Sequence, residues 1–193
     1  MGSESDGTVD VKVHKHGKLE LIIGNMFSGK STELIRRINR EKSINTRIVV
    51  INYRGDNRYA TDSVATHDQT KVNCLKLNKL SDFDNDLINN YDSFFIDEGQ
   101  FFSDLYLFVL NLVDNCNKHV VVSGLDGDCY RKPFGDLVKL IPVCDTVDKL
   151  QAYCTICNNG TFAPFTKKIN NDNQLIDIGG SNKYISVCRK HYN

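Results

Sequence analysis

The sequence predicts an α/β protein, a parallel sheet with helices on both faces, followed by a small metal-stapled C-terminal lobe. Three observations predict it. Short, continuously apolar runs alternate with segments of helical period, the pattern of parallel strands buried on both faces. A glycine-bounded loop at 24–31 separates the first of these runs from the first helix. Three of the seven cysteines fall in the last forty residues, spaced as ligands. With 193 residues the chain can bury one core and carry a small appendage without needing disulfides.

Residues 1–17 are polar and lack the apolar stretch of a secretory signal, so they are expected to form a disordered arm. Residues 18–23 read as a strand that Gly24 ends, and 31–40 as a helix with Leu34, Ile35 and Ile38 on one face and arginines on the other. The run 47–51 is a second buried strand, and the polar, aperiodic stretch 53–71 a long loop. Ser81 is placed as the N-cap of a short helix ending at 90. A strand at 93–96 runs into Asp97 and Glu98, and a helix at 104–115 follows. A strand at 120–122, a helix at 134–141 and a last strand at 146–152 complete an α/β domain over 18–152. From Tyr153 the chain turns rich in Cys, Asn, Gly and Lys, so 153–193 is read as a separate zinc-binding domain.

Lys and Arg (24) balance Asp and Glu (24), which leaves no global basic field and weighs against a dedicated nucleic-acid binder. No apolar run approaches the roughly 18 residues of a membrane span. An odd count of seven cysteines, four of them isolated, suits a reducing cytoplasm with one local metal site better than a disulfide framework.

Gly24, Asn25, Met26, Phe27, Ser28, Gly29, Lys30 and Ser31 satisfy G-x-x-x-x-G-K-[ST] at every fixed position. The glycines allow a tight wrap whose N–H groups point at phosphate oxygens. In that arrangement Lys30 bridges the outer phosphates, Ser31 offers its hydroxyl to Mg²⁺, and the helix N-terminus adds partial positive charge. The alternative is a plain glycine turn between strand and helix. A phosphate loop also needs a metal-orienting acid at a nearby strand end, and Asp97 supplies it after Phe94, Phe95 and Ile96. Glu98, next in sequence, is then left for proton chemistry. Many strands end in acids, so this segment gains its meaning only from the loop before it.

Cys154 and Cys157 form one x₂ pair, and Cys188 and His191 a second. Four such ligands close a tetrahedral Zn²⁺ site with no open position, which makes the site structural. The alternative is two unrelated pairs, one a redox CxxC. Between the pairs, Gly179 and Gly180 let backbone approach a ligand closely, and Tyr184 can pack on a flat ring, although the same pattern is a common hairpin.

Together these motifs resemble the type II thymidine kinases of vertebrate cytosol, poxviruses and many bacteria, over about residues 18–192. The resemblance is carried by the residues from Met26 to Leu34, by Asp56-Asn57-Arg58-Tyr59, Thr66-His67-Asp68 and the residues from Ile96 to Phe102. Leu125-Asp126-Gly127, Arg131-Lys132-Pro133-Phe134, both ligand pairs and Ile178-Gly179-Gly180 add to it. It implies a RecA-like P-loop core and a zinc-stapled lasso, catalysing transfer of the γ-phosphate of ATP to the 5′-hydroxyl of thymidine. The loop 24–31 would bind the ATP phosphates, with Asp56, Asn57, Arg58, Asp97, Gly99 and Gln100 around phosphates and metal, and Mg²⁺ held through Ser31 and Asp97. Glu98 would be the base. Met26, Phe101, Leu125, Cys129, Phe134 and Thr166 would enclose the nucleoside. Leu175, Ile176, Asp177, Ile178 and Gly179 would supply backbone contacts to the base, and Tyr184 a side-chain contact. The resemblance also implies a homotetramer with one Zn²⁺ per chain, and residence in the cytoplasm without a nucleic-acid or membrane partner. Feedback inhibition by dTTP follows if one molecule fills both half-sites. Asn25 stands where the family usually has Pro, Cys129 where many members have Phe, and His191 where a fourth Cys is more usual. Two other readings are a P-loop ATPase or switch in which Glu98 activates water, and a zinc-ribbon nucleic-acid module, against which the zero net charge weighs.

Overall fold

Successive side chains of a strand point to opposite faces, so a run that is apolar throughout needs cover on both. The computed structural model supplies that cover; it describes residues 16–55, 63–65, 71–169 and 183–193. Along the chain lie β1 (Lys18–Gly24), α1 (Lys30–Lys42), β2 (Ile48–Tyr53) and the three-residue strands β3 (Ser63–Ala65), β4 (Lys71–Asn73) and β5 (Leu75–Leu77). Then come β6 (Ser93–Asp97), α2 (Leu105–Leu110), β7 (His119–Leu125) and β8 (Thr146–Leu150). The cysteine-bearing lobe adds β9 (Ala152–Tyr153), β10 (Phe162–Ala163), β11 (Phe165–Lys168), β12 (Tyr184–Val187) and a one-turn helix, α3 (Arg189–Tyr192).

Six strands form one parallel sheet in the order β5-β2-β6-β7-β1-β8. Ile22, Val50, Phe95 and Val121 on one face meet Leu34, Ile35 and Ile38 of α1. Leu21, Ile51, Phe94, Ile96 and Val122 on the other meet Phe102, Leu105, Val109 and Leu112, with Leu137 and Leu140 beside them. Each such side chain, fully buried, contributes about 1.5–3 kcal/mol. This is the parallel α/β sheet with helices on both faces that the apolar runs predict. In the lobe, β9 pairs with β10 and β11 with β12, both antiparallel, around Ala152, Cys154, Ala163, Val187 and Cys188.

Local expectations need five corrections. Arg37 does not join the outer face of α1: Glu20 of β1 takes its Nη1 at 2.5 Å, Glu33 takes its Nε at 2.9 Å, and Asp148 of β8 pairs with Nη2, so the guanidinium is buried. The stretch read as a long loop contains β3, which pairs antiparallel with β4, and β5 then adds an edge strand to the sheet. Ser81 is not an N-cap. It lies inside a 3₁₀ turn, Leu80–Asp82, with its N–H donated to Asp104 Oδ2 at 2.8 Å, whereas Asp84 caps the next turn, Asn85–Asn90, by accepting from Asp86 N at 3.0 Å. The helix expected at 134–141 is a 3₁₀ stretch, Leu137–Val143, with Pro142 inside it. The final strand stops at Leu150 because β1 ends opposite it, at Gly24.

Candidate active site

In open parallel sheets the space beyond the C-terminal strand ends is where ligands sit. Three of those ends meet here. β1 ends at Gly24, which pairs with Leu125 at the end of β7, and β7 is also the partner of β6, where Ile96 pairs with Val122. Asp97 therefore stands one strand beyond β7, level with Ser123. The phosphate loop and the acidic pair are thus separated by one intervening strand, about 10 Å at ordinary strand spacing.

The loop turns through left-handed backbone at Phe27 (φ 66°) and Gly29 (φ 85°), and α1 starts at Lys30. Gly24 cannot be replaced: at φ 148° a Cβ would lie 2.3 Å from the Leu150 carbonyl oxygen. The Asn25 carbonyl gathers the loop inward, accepting from Ser28 Oγ at 2.8 Å and Lys30 Nζ at 2.7 Å. Asn25 also reaches the cysteine-bearing lobe, accepting from Ala152 N and donating to the Phe165 carbonyl, each at 3.4 Å. Beside it the Met26 N–H donates to Thr166 Oγ1 at 3.0 Å. These bonds seat β11 on the phosphate loop. Asn25, Phe165 and Thr166 line part of a cavity of about 450 Å³, with Asp126, Arg131 and Lys149 on its other sides.

Asp97 is buried at the strand end and Glu98, half-buried, adopts left-handed backbone (φ 55°). For a residue with a Cβ that conformation costs about 1–2 kcal/mol, and such outliers gather at functional sites. Gln100 donates from Nε2 to Glu98 Oε2 at 2.5 Å and accepts from Leu125 N at 2.9 Å. Phe101 meets Phe134 edge-to-face at 5.5 Å and stacks on Tyr53 at 5.2 Å, an aromatic wall beside the acids. Tyr53 carried no signal in the sequence, where it reads as the start of a loop; the structure makes it the last residue of β2. Cys129 presents its carbonyl to the Tyr192 hydroxyl at 2.7 Å, while burial and then the Asp128 carboxylate push its thiol above the ordinary range. Tyr184 is buried on β12, on the face it shares with Thr166 and Ser186 through the register of β11 and β12. Asp56, Asn57 and Arg58, and the lasso residues Leu175, Ile176, Asp177, Ile178 and Gly179, lie outside the described residues, as does most of the N-terminal arm.

Cys154, Cys157, Cys188 and His191 converge, with one ligand atom from each inside a 4.8 Å sphere of mutual distances. The Cys157 and Cys188 sulfurs are 3.8 Å apart, and the three sulfurs lie 3.6, 3.3 and 3.4 Å from His191 Nδ1. A tetrahedral Zn²⁺ with ordinary Zn–S and Zn–N lengths requires edges of about 3.8 Å between sulfurs and about 3.6 Å from sulfur to nitrogen. The cluster fits. Burial opposes charge on Cys154, but backbone N–H groups of Cys157 and Cys188 and the His191 ring draw its thiol down to about 6, toward the thiolate a metal needs. Among the described residues no other such group of ligands occurs, and no helix is long and apolar enough to cross a membrane.

A family model described as thymidine kinase matches residues 17–192. The chain is 43% identical over 187 residues to "Thymidine kinase a" of Arabidopsis thaliana, covering 95% of this chain and 78% of that protein. It is 44% identical over 177 residues to the thymidine kinase of sheeppox virus (strain KS-1), covering 92% and 97%. The thymidine kinase of vaccinia virus (strain Western Reserve) is 43% identical over 176 residues, covering 91% and 97%.

Proposed function

The chain belongs to the thymidine kinase family, enzymes that phosphorylate thymidine with ATP, and from that premise we propose how its residues divide the reaction. The observation that carries the proposal is the placement of the phosphate loop and the Asp97–Glu98 pair at the C-terminal strand ends of one sheet, with a single strand between them. Loop N–H groups and Lys30 hold the β- and γ-phosphates of ATP, and Asp56, Asn57, Arg58 and Gly99 are assigned to the same phosphates. Ser31 and Asp97 offer the hard oxygen donors that Mg²⁺ prefers; when bound, the ion would neutralise charge on the phosphates. Glu98 accepts the proton of the thymidine 5′-hydroxyl as that oxygen bonds to the γ-phosphorus. The bond from the γ-phosphorus to the bridging oxygen breaks, and ADP leaves with its charge met by Lys30. Phosphoryl transfer of this kind depends mainly on positioning and electrostatic support.

On the nucleoside side we assign Met26, Phe101, Leu125, Cys129, Phe134 and Thr166 to the sugar and base, with the backbone of 175–179 and the Tyr184 side chain closing over the base. Zn²⁺ on Cys154, Cys157, Cys188 and His191 is a structural staple that ties β9 and β12 together at the foot of that closure. A homotetramer, a cytoplasmic setting suited to free thiols, and inhibition by dTTP complete the proposal. ATP turnover measured with thymidine, deoxycytidine, deoxyguanosine or no nucleoside tests it. Hydrolysis that proceeds without a nucleoside would replace the kinase assignment of Glu98 with activation of water.

A further inference from the structure

We propose that Gln100 is a positioning residue: it holds the Glu98 carboxylate in place through its side-chain amide, instead of binding the ATP phosphates. The inference rests on the assignment of Glu98 as the base. Gln100 is 4% exposed, so both ends of its amide need partners inside the protein. They have them. Oε1 accepts from the Leu125 N–H at 2.9 Å, which fixes the amide's orientation, because only the oxygen can face a backbone donor. The NH₂ end is then directed at Glu98 Oε2, 2.5 Å away.

The surroundings are shaped for this placement. A Cβ on Gly124 would come within 2.3 Å of Gln100 Oε1, and one on Gly135 within 2.2 Å of the Gln100 carbonyl oxygen. Two missing side chains therefore leave the room that Gln100 fills. Glu98 sits in left-handed backbone just past the strand end, where no sheet ladder aims its side chain. Gln100 links that carboxylate to the end of β7, one of the best-buried strands of the sheet. A general base must lie within hydrogen-bond reach of its proton, and a displacement of about 1 Å can cost roughly 10²-fold in rate.

The test is steady-state kinetics on Gln100→Met and Gln100→Glu, with Glu98→Gln and the double variant Glu98→Gln/Gln100→Met alongside. Gln100→Glu keeps an acceptor for Leu125 N and removes the donor to Glu98, so it serves where the methionine variant folds poorly; melting temperature and zinc content verify the fold. Either single change at 100 is expected to lower kcat by about 10²-fold with KM for ATP within about twofold. The double variant should be no slower than Glu98→Gln, because a positioning residue has nothing left to position. A KM for ATP raised tenfold with kcat retained, or a double variant slower by the product of the two singles, would return Gln100 to the phosphates and overturn the proposal. Glu98→Gln with near-normal turnover is a separate outcome, and it would sink the assignment of the base itself.

Discussion

Arg37→Met removes the one guanidinium that joins α1 to both β1 and β8. The Arg37 and Glu20 side chains are each 7% exposed and meet at 2.5 Å, while Asp148 is 54% exposed. Taking one partner from a buried pair typically costs about 3–5 kcal/mol, because the other charge stays behind without compensation. Glu20 keeps Lys18 at 2.5 Å and His119 at 3.3 Å, and this remaining compensation brings the loss below that range, to about 2–3 kcal/mol. The exposed Asp148 contact adds at most about 1 kcal/mol, and methionine retains most of the apolar stem. For a chain of this size the sum corresponds to a fall in Tm of about 5–10 °C. Urea unfolding at pH 7 and fixed protein concentration measures it, with Glu20→Gln/Arg37→Met as the second arm. The double variant should recover much of the loss, since it removes the stranded carboxylate. A single variant that loses less than about 1 kcal/mol, or a double no more stable than the single, would refute the account of a stranded buried charge.

Stability should also depend on pH through His119. Burial opposes its charge, but Glu20 and Glu41, 3.3 and 2.5 Å from its two ring nitrogens, outweigh that and hold its pKa above the ordinary 6.5. Its contribution is therefore complete below about pH 6.5 and lost as pH rises through the folded value. Glu20, held below the carboxylate range chiefly by His119, contributes above about pH 4.5 and loses that contribution as pH falls. Melting temperatures should thus decline on the alkaline side, and His119→Phe should flatten that decline. Cys157→Ser, or chelation, should make the region between the two ligand pairs protease-sensitive before the sheet unfolds; metal analysis that finds no zinc in active enzyme would end that idea. Inhibition by dTTP should be relieved by raising either thymidine or ATP, with dCTP much weaker; equal potency of the two would mean the base is not read by the lasso.

What the sequence made legible is what local geometry dictates. A G-x-x-x-x-G-K-S loop between an apolar run and a helix has few other uses, and the short runs at 47–51, 93–96 and 120–122 fit strands covered on both faces, which they form. What it hid depends on distant partners. Arg37 reads as one more helix-surface arginine until Glu20 and Asp148, seventeen residues before it and 111 after, bring carboxylates to it. Ser81 reads as a cap until Asp104 takes its N–H. β3, β4 and β5 are three residues each, too short for a period to register. The spacing marked the Cys/His cluster, but only the fold brings His191 Nδ1 within reach of all three sulfurs.

The residue after His191 has a consequence of its own. Tyr192 bonds the Cys129 carbonyl at 2.7 Å, and the Arg131 guanidinium lies 4.1 Å from the centre of its ring. The segment leading from Leu125 to Phe134 is therefore fastened to the same one-turn helix that carries His191, the fourth member of the proposed zinc cluster. Two binding events that share such a fastener have one coupling free energy between them, and it acts with equal size in both directions. If the metal tightens the grip on a nucleoside by some factor, a bound nucleoside raises the equilibrium affinity for the metal by that same factor. Competition with a chromogenic chelator, with and without thymidine, would read that factor, and Tyr192→Phe, which deletes only the hydroxyl, should shrink it.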